Sequence, residues 1–220
     1  MARLDGLPLF EGSDCEAGPQ REELAAGVTL LRAFVDSAAL LPLVEAIAAA
    51  APFRQMTTPG GHKMSVAMTN CGTAGWITDR KGYRYEARDP LSGKPWPALP
   101  PLFLELAAEA AAQAGFADFA PDACLINLYL PGTKLSLHQD RNEKDFAQPI
   151  VSFSLGLPAI FLLGGEARST RPRQIPLHDG DVLVFGGPAR LYHHGVKELK
   201  EGAHPLLGAR RINLTLRRAL

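Results

Sequence analysis

Two spacings of apolar residues divide the chain. Over residues 37–50 (SAALLPLVEAIAAA) and 101–115 (PLFLELAAEAAAQAG) the residues are strong helix formers, and both stretches predict helices. Asp36 or Ser37 suits the N-cap of the first, with Pro42 confined to the first turns or kinking the helix. Pro101 suits the first turn of the second, and Gly115 its C-cap. Between them lie short segments at 64–69, 75–78 and 83–85, then a proline-rich stretch, 89–101, that reads as a rigid loop.

After residue 120 the period shortens. ACLINLY, KLSLH, IVSFSLG, AIFLLGG, RQIPL, DVLVFGG, RLYHHGV and RINLTLR are strand-like runs punctuated by Pro-Gly, Gly-Gly and Asp-Gly. So many strands packed into a hundred residues leave no room for crossover helices. The pattern predicts a mainly β protein: an antiparallel sandwich or jelly roll with helices on one outer face.

Composition narrows this little. With 220 residues, 46% hydrophobic and 21% charged, the chain suits one sizeable core. No apolar run is long enough to span a bilayer. The opening MARLDGLPLFEGSDCEAG has acids where a secretory signal needs a basic head, so a cytoplasmic protein is expected. Cys15, Cys71 and Cys124 form neither a disulfide framework nor a zinc pattern; they read as free thiols, Cys124 buried in a strand. The net charge of zero hides an asymmetry: residues 1–23 hold six acids and two bases, leaving seventeen acids and twenty-one bases. A modest basic surface remains, enough for a short single strand and too little for a protein coated in positive charge.

The candidate chemistry begins at His138-Gln139-Asp140. An extended backbone puts His138 and Asp140 on one side, giving an imidazole and a carboxylate from one short segment. A third ligand from RLYHHG would complete a two-histidine, one-carboxylate site for iron(II); zinc is physically possible on the same residues. His193 and His194 face opposite ways, and periodicity does not choose between them. In RINLTLR, alternation sends Ile212, Leu214 and Leu216 to one layer and Arg211, Asn213, Thr215 and Arg217 to the other. Two arginines and an asparagine on one face suit a small dianion, or else a solvated edge strand. Asn127 and Tyr129 share a face as well.

Taken together, PFRQMTTPGG, MSVAMTNCG, GYRY, KPWPALP, FADFAPDACLIN, YLPGTKLSLHQD, SFSLGLPAIF, RLYHHG and RINLTLR resemble, in order, the AlkB family of iron(II)- and 2-oxoglutarate-dependent dioxygenases, from about residue 52 to 217. The resemblance implies a double-stranded β-helix, cupin-like, with Fe(II) on His138, Asp140 and His194. It implies that Arg211 and Arg217 hold the carboxylates of 2-oxoglutarate, helped by Asn127, Tyr129 and Asn213. The implied organisation is an irregular lead-in (1–24) and one dioxygenase domain (25–220): helices and a nucleotide-recognition lid over 25–120, and a catalytic jelly roll over 121–220. The implied reaction uses O2 and 2-oxoglutarate to dealkylate bases of the 1-methyladenine and 3-methylcytosine type, releasing an aldehyde, succinate and carbon dioxide. The expected partner is alkylated single-stranded DNA, with double-stranded DNA or RNA as variants, and the expected state is a monomer. The alternative is a dioxygenase acting on another substrate: an RNA modification, a protein side chain or a small molecule.

In proteins similar to this one a tryptophan and a histidine sandwich the damaged base, which here implies Trp76 and His138. Tyr83 resembles a nucleic-acid backbone contact and Arg168 a residue lining the base pocket. The alternatives are core packing for Trp76 and a solvated loop charge for Arg168. Met64, Met68 and Leu135 are candidate apolar walls, and Lys134 and Arg141 candidate phosphate contacts. The chain departs from the family pattern twice. Asn142 stands in place of an aspartate near the base's exocyclic amine, so attraction to a cationic base is weaker or the lesion preference differs. His62 stands in place of a tyrosine after Gly-Gly, which alters contacts in the substrate lid.

Overall fold

The structure is a computed structural model, and residues 20–220 are described. Most of the expected lead-in, Cys15 included, lies outside them; its last residues do not stay irregular, because a strand begins at Arg21. Numbered along the chain, eight antiparallel strands form the large sheet, in the spatial order β1 (Arg21–Ala25), β2 (Val28–Leu31), β12 (Val182–Phe185), β9 (Ile150–Gly156), β14 (Arg211–Arg217), β7 (Ala123–Tyr129), β4 (Lys63–Gly72) and β3 (Arg54–Thr57). A second sheet runs β11 (Arg173–Leu177), β10 (Ala159–Leu163), β13 (His194–Val196) and β8 (Leu135–His138). A separate hairpin pairs β5 (Gly75–Asp79) with β6 (Gly82–Glu86).

Alternation along each strand of the large sheet feeds two cores. In β12, Val182 and Val184 join the cluster that includes Leu40, Val44 and Ile47 of helix α1 (Ser37–Ala50) and Phe103, Ala107 and Ala111 of α2 (Pro101–Gln113). Their neighbours Leu183 and Phe185 pack instead against Phe161 and Leu163 of β10. Helices thus cover one face and the small sheet the other, the jelly-roll arrangement that the strand pattern predicts.

Asp36 caps α1, its carboxylate accepting from the Ala38 amide at 2.8 Å, and Pro42 lies within the helix. Helix α2 closes at Ala114, followed by Gly115 at φ +88°, where a side chain would be strained. Two details differ from the sequence reading. RLYHHGV is a strand only over its last three residues, because Gly187–Ala189 forms a 3-10 turn and the Arg190 and Tyr192 amides bond back to Gly187 and Ala189. The last strand, β14, is central, hydrogen-bonded to β7 and β9 along its length, so the edge-strand alternative is excluded. Among the described residues no helix is long and apolar enough to cross a membrane.

Candidate active site

A cavity of about 770 Å³ opens between the two sheets, lined by residues of β7, β8, β13, β14 and the hairpin. Its floor begins with a cross-strand pair: His138, the last residue of β8, is in register with His194, the first of β13. That pairing brings the imidazoles to 4.5 Å between ring centroids. Asp140 follows two residues after His138, and its carboxylate oxygens lie 3.7 Å from each Nε2. One donor atom from each of the three residues falls within 4.8 Å of the others.

The imidazoles are held from behind. Nδ1 of His138 meets the Ser136 carbonyl at 2.8 Å, and Nδ1 of His194 meets the Tyr192 carbonyl at 2.9 Å. A carbonyl can only accept, so Nδ1 carries the proton and each Nε2 lone pair is left for a cation. Burial, then the neighbouring His138, lowers the His194 pKa to about 4, so the ring is neutral and able to ligate. Burial alone would raise the Asp140 pKa, but the Arg217 guanidinium and both imidazoles outweigh it and hold the carboxyl well below the usual carboxylate range. Two imidazoles with free Nε2 positions and a carboxylate form the donor set of a non-haem iron(II) site, so Fe(II) fits. His193, left open by periodicity, turns its Nδ1 to the Gly165 carbonyl at 3.2 Å instead.

Beside this cluster lies a cation that, among the described residues, has no carboxylate in direct contact. Arg211 is 1% exposed, yet its bonds go to the Leu157 carbonyl (3.2 Å) and the Ser154 hydroxyl (2.8 Å). Its Nε has no partner, nor does the Asn127 Oδ1 nearby in the same cavity. Burial lowers the Arg211 pKa to about 10, a group still cationic at neutral pH. A buried guanidinium without a carboxylate calls for an anionic ligand, and a carboxylate end of 2-oxoglutarate fits it. Arg217 differs: its Nη2 donates to Asp140 Oδ2 at 2.6 Å and its Nε at 3.1 Å, so it is already paired with the candidate metal ligand. Asn213 spends its amide donor on the Ser152 hydroxyl and the Phe153 carbonyl, while its oxygen accepts from Asn127 and Thr215. Its contribution is to orient Asn127. Tyr129 is 1% exposed on the same wall, its phenol held protonated by burial.

The rim is looser. Trp76 of β5 is half-buried and stacks with Tyr83 of β6 at 5.7 Å between ring centroids. Asn70 fixes its backbone from both sides, accepting from the Trp76 amide and donating to its carbonyl. The Trp76 indole donates to the Asn142 carbonyl oxygen at 3.1 Å. Both rings line the cavity, and Trp76 also packs against the core cluster that holds Met56, Val66 and Met68. Met64, Met68, Leu135, Lys134, Arg141 and Arg168 line it too, Arg168 from an exposed turn. His62 is the exception: it sits exposed in the β3–β4 turn, while its neighbours Lys63 and Met64 reach the cavity wall.

Several residues at the site escape the sequence reading. Ser152 and Ser154 share the polar face of IVSFSLG, and the same alternation that grouped Arg211 with Asn213 would have pointed to them. Gln139 crosses from between two ligands to the Leu191 carbonyl, and Arg190 to the Asp140 carbonyl at 2.9 Å. Neither carries a local sequence signal.

Comparison with known proteins agrees with the donor set. The chain matches the 2OG-Fe(II) oxygenase superfamily over residues 27–217. It is 55% identical to the alpha-ketoglutarate-dependent dioxygenase AlkB of Salmonella typhimurium, covering 97% of this chain and 98% of that one. The human nucleic acid dioxygenase ALKBH1 is 36% identical over 55% of this chain and 31% of its own length. The solved structure of OsALKBH1 superposes with a TM-score of 0.78 at 28% identity, covering 90% of this chain and all of that one. With its two imidazoles and a carboxylate beside an unpaired arginine, and with these similarities, the chain belongs to the AlkB family of iron(II)- and 2-oxoglutarate-dependent dioxygenases.

Proposed function

We propose that this enzyme removes small alkyl groups from damaged nucleic-acid bases in single strands, on lesions of the 1-methyladenine and 3-methylcytosine type. The observation that carries this reading is the stacked Trp76–Tyr83 pair on the cavity that also holds the metal cluster. A base must leave its stack to reach such a site, and an aromatic wall receives it. Lys134, Arg141 and Arg168 at the mouth suit the phosphates of a short strand. The name of the human relative, a nucleic acid dioxygenase, points the same way.

In this reading His138, Asp140 and His194 hold Fe(II), and Arg211 with Tyr129 and Asn127 holds 2-oxoglutarate. When bound, iron with 2-oxoglutarate and O2 supplies an oxidation that yields succinate and carbon dioxide and hydroxylates the alkyl carbon. The hydroxylated product breaks down to an aldehyde and the restored base, so no protein nucleophile is required. The protein's part is to bind, orient and keep water away. Arg217 holds Asp140 ionised and in place, the backbone carbonyls fix the imidazoles, and Trp76 with His138 brackets the base. One chain carries every residue of the site, which favours a monomer. Cys71 and Cys124, opposite each other on β4 and β7, are free, which favours the cytoplasm.

The test is the mass of a single-stranded oligonucleotide carrying 1-methyladenine after incubation with Fe(II) and 2-oxoglutarate. Loss of the methyl group that requires both is expected. An unchanged strand while succinate still forms would overturn the substrate assignment and keep the dioxygenase.

A further inference from the structure

Behind the cavity wall the Asp140–Arg217 pair extends into a buried ionic cluster, and none of the roles above uses its further members Glu143 and Tyr85. Glu143, three residues after the candidate ligand Asp140, has a side chain only 2% exposed. Its Oε2 pairs with Arg190 at 3.1 Å, and its Oε1 lies 3.5 Å from the Arg217 Nε. The same Oε1 accepts the Tyr85 hydroxyl at 2.6 Å. Two carboxylates, Asp140 and Glu143, thus balance two guanidiniums, Arg190 and Arg217, which makes burial of the four tolerable. Tyr85 is the neutral fifth member, held protonated by burial. It does not line the cavity, and neither do Glu143 and Arg190.

Tyr85 belongs to β6; it stands opposite Trp76 in the ladder and two residues from Tyr83, so it shares the hairpin face that presents those two rings to the cavity, but lies outside the cavity lining. That hairpin pairs with neither larger sheet. A lone two-stranded ribbon is marginal in water, so its position depends on the packing of Ile77 into the core beside Met56, Val66 and Met68 and on side-chain ties. Several ties are visible: Asn70 to Trp76, the Trp96 indole to the Glu86 carbonyl, and Asn142 to the Trp76 indole. The bond from Tyr85 to Glu143 is the one to a buried charge, and such bonds are the strong ones.

We propose that Glu143 is a positioning residue which, through the Tyr85 hydroxyl, locks the base-receiving hairpin to the segment carrying Asp140. The inference rests on the reading of Trp76 as the base wall. Its consequence is a substrate site whose order is set from behind, by groups that never touch substrate.

The test is Tyr85→Phe, which removes one hydroxyl and leaves the ring, with Glu143→Gln as a second variant. Hydrogen exchange of the amides over residues 75–86 should quicken about tenfold in Tyr85→Phe, with β7 and β14 unchanged. KM for the alkylated strand should rise several-fold with kcat and Mn(II) affinity held, and Glu143→Gln should loosen the same amides. Unchanged exchange in the hairpin would overturn the proposal. So would faster exchange spread over β7 and β14, or a fall in kcat at constant KM, since either would make the cluster a general core tie. Exchange needs no nucleic acid, so failure of the brace and failure of the dealkylation reading are told apart.

Discussion

The floor and the rim of the cavity are built by different rules. The floor is made by sheet strands, all but β8 with a partner on each side: Arg211 and Arg217 on β14, Asn127 and Tyr129 on β7, and His138 and His194 as a register pair of β8 and β13. Its side chains are mostly buried and bonded from behind to backbone carbonyls or to one another. The rim comes from a hairpin paired with neither larger sheet, from turns and from loop charges: Trp76, Tyr83, Asn142 and Arg168. The contrast fits the proposed division of labour, in which sheet strands hold the metal and cosubstrate, and hairpin and loop residues meet the substrate.

Breaking the floor should have the largest effect. His138→Ala removes one of three ligands, so metal binding and succinate formation should both disappear, as measured by metal titration and succinate assay. Next is Arg211→Met. Loss of the charge-assisted bonds should weaken 2-oxoglutarate binding about 100-fold by calorimetry. The same change removes a buried cation that no carboxylate contacts directly among the described residues, so without 2-oxoglutarate the variant should melt about 2–4 °C higher than the wild type. A lower melting point would mean that Arg211 serves the fold. These two outcomes of opposite sign sharpen the claim that the arginine waits for an anion.

Changes at the rim should be smaller and selective. Trp76→Ala should weaken binding of an alkylated single strand about tenfold, with 2-oxoglutarate binding unaltered. The smallest effect is expected of Asn142→Asp. Restoring a carboxylate at the rim should favour a cationic methylated base a few-fold at low salt, with the gain shrinking as salt screens it. Equal gains for neutral and cationic lesions would show that shape, and not charge, is read there.

The same division explains what could be read from the sequence. Strict alternation along RINLTLR and ACLINLY placed the cosubstrate residues on one face, because period two is a property of the strand itself. The choice between His193 and His194 was invisible to periodicity, since it depends on the register of β13 against β8. At the rim, resemblance alone pointed to Trp76 and Tyr83, and His62 fell outside the cavity wall. Strands β1, β2 and β3 went unseen because four or five residues are too few to show a clear period, although Gly27 and Pro59-Gly60-Gly61 mark the turns after β1 and β3. Glu143 and Tyr85, 58 residues apart, have no pattern that joins them before the chain folds.

The separation of floor from rim is tested most directly by titrating Mn(II)-loaded wild type, Arg211→Met and Trp76→Ala with 2-oxoglutarate and, separately, with a single strand bearing 1-methyladenine. The account predicts that Arg211→Met weakens 2-oxoglutarate binding about 100-fold and keeps the strand, while Trp76→Ala weakens strand binding about tenfold and keeps 2-oxoglutarate. Loss of both ligands in either variant would contradict it.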